Sequence, residues 1–279
     1  MLSDRGASIL NRKKNRLGRA YGGGGLLKKF LVAAIVAAAF YGAPAVAAPP
    51  AAPMFNWTGF YIGANGGYGF GSTTSEIPTT PVNVQGANAG EPFPVSLAIH
   101  PKGFFGGVGA GYNWQTRNFL FGFEGDIQIS EIKSDLATYM ATIDTGGHPH
   151  TDWHNSASEN LKWFGTIRAR TGLVFDRFLA YVTGGLAFGG VKVYTENAYN
   201  FNPINWYTSD STTTRFGWTI GGGGEYALAN RWTFKAEYLY YDLGTINSIA
   251  VNHIGISGYV PSSLAVHGNL VRAGVNYKF

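Results

Sequence analysis

The chain of 279 residues contains no cysteine, which excludes disulfides, thiolate catalysis and cysteine-based metal sites together. Charge is nearly as scarce: 13% of residues are Asp, Glu, Lys or Arg, against about 25% in an ordinary soluble domain. The apolar run Phe30–Phe40 is too short for a helix crossing a bilayer, which needs about 20 residues. What the chain has instead is 40 glycines and 15% aromatic residues. The glycines follow no triplet period, so collagen is excluded, and this much Phe, Tyr and Trp argues against disorder.

The formal charge of +5 comes from one end. Residues 1–47 hold eight of the 21 basic residues and one of the 16 acidic ones, leaving 13 basic and 15 acidic residues elsewhere. A basic surface for nucleic acid is therefore not expected. Lys28-Lys29, the run Phe30–Phe40 and Ala45-Val46-Ala47 form the charged, apolar and small-residue parts of a secretory signal peptide. Cleavage is expected after Ala47, with a retained anchor as the alternative, and Leu26-Leu27 resembles an ordinary signal start. Residues 48–56 read as a Pro/Ala linker.

From Trp57 onwards the governing pattern has a period of two. It is plainest at the end, where Val271, Ala273, Val275, Tyr277 and Phe279 alternate with Arg272, Gly274, Asn276 and Lys278. One greasy face and one wet face describe a strand. Eight such segments are expected, at 57–70, 103–115, 119–130, 161–175, 178–193, 215–228, 231–243 and 266–279. Short links near 116–118, 176–177 and 229–230 alternate with long ones at 71–102, 131–160, 194–214 and 244–265. That asymmetry predicts an all-β, eight-stranded antiparallel transmembrane β-barrel with three periplasmic turns and four extracellular loops. Aromatics beside the short turns, from Trp57 and Trp114 to Trp232 and Tyr277, suit an interfacial girdle. A soluble barrel would reverse the pattern, with its apolar residues inside.

The motifs Trp57-Thr58-Gly59-Phe60-Tyr61-Ile62-Gly63, Phe123-Glu124-Gly125-Asp126-Ile127, Trp163-Phe164-Gly165-Thr166-Ile167-Arg168-Ala169-Arg170 and the ending Arg272–Phe279 carry a family resemblance. With Tyr181–Ala187 and Lys235–Tyr240, they make residues 57–279 similar to the small outer-membrane β-barrels of alphaproteobacteria, the opacity-protein and OmpA-type "porin family". The resemblance implies residence in the outer membrane of a Gram-negative bacterium, with outer-membrane lipid and the barrel assembly machinery as partners. It also implies that Val275, Tyr277 and Phe279 form the terminal assembly signature. A monomer is expected.

Alternation places Glu124, Asp126, Glu225 and Glu237 on the inward face with Arg168, Arg170, Lys235 and Arg272. Four acids against four bases read as a neutralised plug, because so small a barrel is just wide enough to fill with side chains. The alternative is a narrow charge-lined ion pathway. His148, His150 and His154 crowd one predicted loop; imidazoles suit haemin or a transition metal, though their spacing matches no tight metal motif. Gly107–Gly111 and Gly221–Gly224 do not join a strand to a helix, so they are not phosphate loops. No serine, histidine and acid constellation is evident, and no enzyme is expected. The expected role is structural and surface-exposed, with a passive pore or a loop-borne binder of haemin, metal or a host molecule as alternatives.

Overall fold

The computed structural model describes residues 55–76, 96–143, 149–199, 206–229, 231–252 and 259–279. Its strands in chain order are β1 (Gly59–Phe70), β2 (Thr73–Glu76), β3 (Ser96–Ile99), β4 (Lys102–Thr116), β5 (Phe119–Ile143), β6 (Pro149–Phe175), β7 (Phe178–Tyr199), β8 (Trp206–Ala229), β9 (Trp232–Asn252) and β10 (Tyr259–Lys278). Hydrogen bonding orders them β1-β4-β5-β6-β7-β8-β9-β10-β2-β3 in one antiparallel sheet, and β1 also pairs with β10 from Tyr61↔Lys278 to Phe70↔Asn269.

This corrects the expected eight-stranded barrel: among the described residues the sheet has ten strands. Two of them, β2 and β3, lie inside what alternation reads as the first long loop, and β2 pairs with β10 at Ser263↔Glu76 and Leu264↔Ser75. At four residues each, they are too short to establish a period of their own. The other three expected long loops are largely strand as well. β5 and β6 pair as far as Ile143↔Pro149, and β7 and β8 as far as Ala198↔Trp206. Alternation fades there because both faces of these extensions carry polar residues, while backbone pairing continues regardless of side chain.

The sheet curls, with one face outward and one inward. Outward lies an apolar belt that includes Phe104, Phe121, Ile129, Ile167, Leu186, Phe216 and Tyr238, all well exposed. Tight links at Arg117 and Asp176, both with positive φ, mark one end of the belt. Exposed Glu131, Lys133 and Lys162 mark the other. Register shifts fall at the second boundary, between Ile129 and Ile132 on β5 and between Leu161 and Trp163 on β6.

The inward face is stacked in layers. Nearest the tight links, Trp57, Leu120, Val174, Leu179, Tyr181 and Ala227 pack together, with Phe55 at 4.9 Å from Trp57. Trp57 is 1% exposed, so it belongs to this inner cluster and not to an outer girdle. It shares the odd parity of Tyr61 and Gly63, the inward set of β1, so its direction follows the strand's alternation and not its place beside a turn. Beyond a charged middle layer, a second apolar cluster gathers Ile99, Ile132, Leu161, Val191, Leu243, Ile246, Leu264 and Val266. Inward glycines leave room for the large polar side chains: a Cβ at Gly111 would overlap the Tyr61 hydroxyl, and one at Gly67 would press on Arg272.

Candidate functional site

The charged layer brings all eight expected side chains together from β5, β6, β8, β9 and β10, each nearly inaccessible to solvent. Three opposite-charge pairs are cross-strand neighbours in register: Glu124↔Arg168, Glu225↔Lys235 and Arg272↔Glu237. Long side chains then reach further across the curled sheet.

Glu124 is the hub. It accepts from Arg168 Nη2, from Lys235 Nζ at 2.8 and 2.9 Å, and from Arg272 Nη2 at 3.4 Å. Arg168 also donates to Glu237 Oε1 at 2.8 Å, Asp126 Oδ2 at 3.0 Å and Thr166 Oγ1 at 2.9 Å. Arg272 donates to Glu237 Oε2 at 2.6 Å and Asp126 Oδ2 at 3.0 Å. Arg170 donates to Glu225 Oε2 at 3.1 Å and Asn113 Oδ1 at 2.9 Å, and its Nη1 stands 3.5 Å from Glu124 Oε2. Each guanidinium offers its donors in a planar fork, which lets one cation serve several carboxylates.

Several partners escape a reading of charges alone. The Tyr61 hydroxyl donates to Glu124 Oε2 at 2.7 Å, and the Tyr181 hydroxyl to Glu237 Oε1 at 3.2 Å. Their rings flank the Arg170 guanidinium at 4.7 and 5.3 Å from its carbon, adding cation–π attraction. Thr233 and Asn276, the latter at 2.7 Å, donate to Glu225 Oε1. The available signal was parity: all four occupy inward positions of their strands. With its carboxylates accepting from cations, hydroxyls and amides, the layer stores no free base for proton transfer and no activated nucleophile.

At the carboxy terminus, Val275 faces outward, and Phe279 packs on Phe60 and Tyr277 at ring distances of 5.6 and 5.3 Å. The Phe279 amide donates to the Phe60 carbonyl at 3.0 Å. The histidines are less connected. His148 lies outside the described residues, as does the side chain of His150, while His154 Nδ1 stands 3.5 Å from Glu196 on β7. Among the described residues, no group of three or more His, Cys, Asp or Glu side chains is placed to hold a metal ion. Ala45 and Ala47 also lie outside the described residues.

The model of the outer membrane protein beta-barrel domain family matches residues 35–279. The chain is 38% identical to the 31 kDa outer-membrane immunogenic protein of Brucella melitensis over 84% of its own length and 89% of the relative's. It is 31% identical to a 22 kDa outer membrane protein of Rhizobium leguminosarum, covering 69% of this chain and 67% of that one. Among solved structures, OprG from Pseudomonas aeruginosa superposes with a TM-score of 0.44 at 12% identity, covering 81% of this chain and 98% of that one, a likeness too loose to carry an argument. A family match over most of the chain and an apolar belt fit for lipid lead to one assignment: the chain is an outer-membrane protein and belongs to the outer membrane β-barrel family that includes the Brucella and Rhizobium outer-membrane proteins.

Proposed function

We propose that this protein is a structural and surface-exposed component of the outer membrane, present as a monomer, whose interior is a neutralised plug and not a channel. The supporting observation is the stacking of the inward face: balanced buried charges lie between two apolar clusters. An ion crossing it would have to part guanidinium–carboxylate pairs and then pass apolar side chains, both costly steps. Mature protein folded into detergent and added to a planar bilayer is expected to be silent. Reproducible discrete conductance steps would replace the plug with a pore.

Residues 1–47 are, on this reading, a leader removed after Ala47, followed by a linker at 48–56 and the membrane domain at 57–279. Sequencing the amino terminus of protein recovered from outer membranes should give Ala48-Pro49-Pro50. A chain beginning at or before Lys28 would mean a retained anchor.

The ending Val275, Tyr277 and Phe279 is proposed to be read by the barrel assembly machinery before the β1–β10 ladder forms. Deleting Phe279 should lower the assembled, heat-modifiable fraction in cells several-fold, while refolding of the purified variant into detergent stays near wild type. Equal losses in both settings would make the residue structural, since it also packs on Phe60.

A further inference from the structure

Beyond the belt, away from the tight links, the sheet divides. The β8–β9 ladder is interrupted between Thr208 and Trp218, and β3 forms no ladder with β5. A bulge in β9 and β10, with Gly244 at φ +75° and a register shift between Ala265 and His267, breaks the regular ladder at the same level. The outer parts of β5 to β8 and of β9-β10-β2-β3 thus form two flaps, rejoined at the tip where the ladder resumes at Tyr207↔Asn252 and Thr208↔Val251. Side chains bridge both seams, with the His100 amide donating to Ser134 Oγ at 3.2 Å and Arg215 Nη2 to the Thr245 carbonyl at 2.5 Å. Packing does the rest, with Leu161, Val191 and Val193 of one flap meeting Ile99, Leu243 and Leu264 of the other.

At the margin of this apolar contact, on the same inward face as the buried Asn155 and Thr195, β6 projects Glu159, 1% exposed and with neither carboxyl oxygen hydrogen-bonded. Its neighbours in register are Ser134 on β5 and Val193 on β7. The Tyr241 phenol of β9 lies within electrostatic reach of it, and its neighbours Leu161 and Val193 belong to the apolar cluster that also holds Ile99, Leu264 and Val266. The inward cation of β8, Arg215, donates from Nη2 to the Thr245 carbonyl, keeps its buried Nε without a partner and forms no ion pair with Glu159. The other charged side chains described on these strands beyond the belt, Glu131, Lys133 and Asp135 on β5, His154 and Lys162 on β6, Lys192 and Glu196 on β7, and Asp210 on β8, fall at positions alternate to the buried ones. The other four buried acids among the described residues sit in the charged layer with cations. Glu159 has no cation among those residues.

We propose that Glu159 is a proton-operated clasp: protonated, it lets the two flaps close over an apolar contact, and ionised, it drives them apart. A carboxylate enclosed without a counter-charge is strongly disfavoured, so loss of the proton is relieved by opening the seam to water. Burial pushes the Glu159 carboxyl up to about 7 from an ordinary 4.5. Because the closed form binds the proton more tightly than the open one, closure is fully favoured below the ordinary value. It weakens as pH rises through about 7 and then levels off.

The test is amide hydrogen exchange of the folded mature protein in detergent, corrected for intrinsic exchange, across this pH range. Wild-type amides of β6 and β9 beyond the belt should open more readily with rising pH, by on the order of a hundredfold, whereas Glu159→Gln stays flat. Parallel profiles in the two proteins, or a flat wild type, overturn the clasp. Should the Gln variant not fold, the carboxyl infrared band of wild type decides: a protonated acid near neutral pH, absent in a Glu159→Ala control, supports it. Full ionisation below pH of about 5 overturns it. Neither readout depends on whether the charged layer conducts.

Discussion

Replacing Arg168 by alanine should lower the stability of the folded protein by about 3–5 kcal/mol, the usual cost of breaking a buried ion network on one side. The guanidinium touches Glu124, Asp126 and Glu237 at once, and its side chain is inaccessible to solvent. Its loss leaves three carboxylates sharing Arg272, Lys235 and the Arg170 that Glu225 also uses, with the uncompensated negative charge held among apolar layers. Arg168→Lys should recover only part of the loss, because an ammonium cannot present the fork that reaches Thr166 and three acids together. The measurement is the urea midpoint of refolding into detergent, read by heat-modified gel mobility. An Arg168→Ala protein as resistant as wild type would remove the charged layer from any account of stability.

One residue away the logic inverts. Ile167 is 57% exposed on the outward face, whereas Arg168 is 1% exposed on the inward one. Ile167→Arg should therefore cost about 2–4 kcal/mol in a bilayer, because the new charge stands among lipid chains near mid-belt. The same change at Ile249, also exposed at 58% but on the part of β9 beyond Tyr240 and Asp242, should cost less than about 0.5 kcal/mol. Refolding equilibria in liposomes of all three proteins test the contrast. Equal penalties at Ile167 and Ile249 would mean that the belt does not end where Lys162 and Lys133 suggest.

Both expectations rest on a pattern legible in the amino-acid sequence. A strand sends neighbouring side chains to opposite faces, so wherever one face meets lipid the sequence alternates visibly, as at Phe119–Ile129. The charged layer was legible for the same reason: its eight members occupy inward positions. Past the belt the cue weakens. Ser156-Ala157-Ser158-Glu159 shows no greasy face, because water bathes the outside and a mixed interior lies within, yet it pairs with β5 and β7 throughout. Hence segments expected as loops are strand, and the strand count rises from eight to ten.

Parity is what the order of residues settled, and parity is local: it says which face a residue takes and that the inward charges balance. It left the partners open. Lys235 stands beside Glu225 in register, yet its ammonium reaches Glu124, 111 positions away, at 2.8 Å. Glu159 came to lie between two flaps for a related reason. Such contacts depend on how strands separated in the chain meet when the sheet curls. That meeting follows from strand number, register and the position of bulges, none of which a period of two encodes, so these contacts emerge only at the level of tertiary structure.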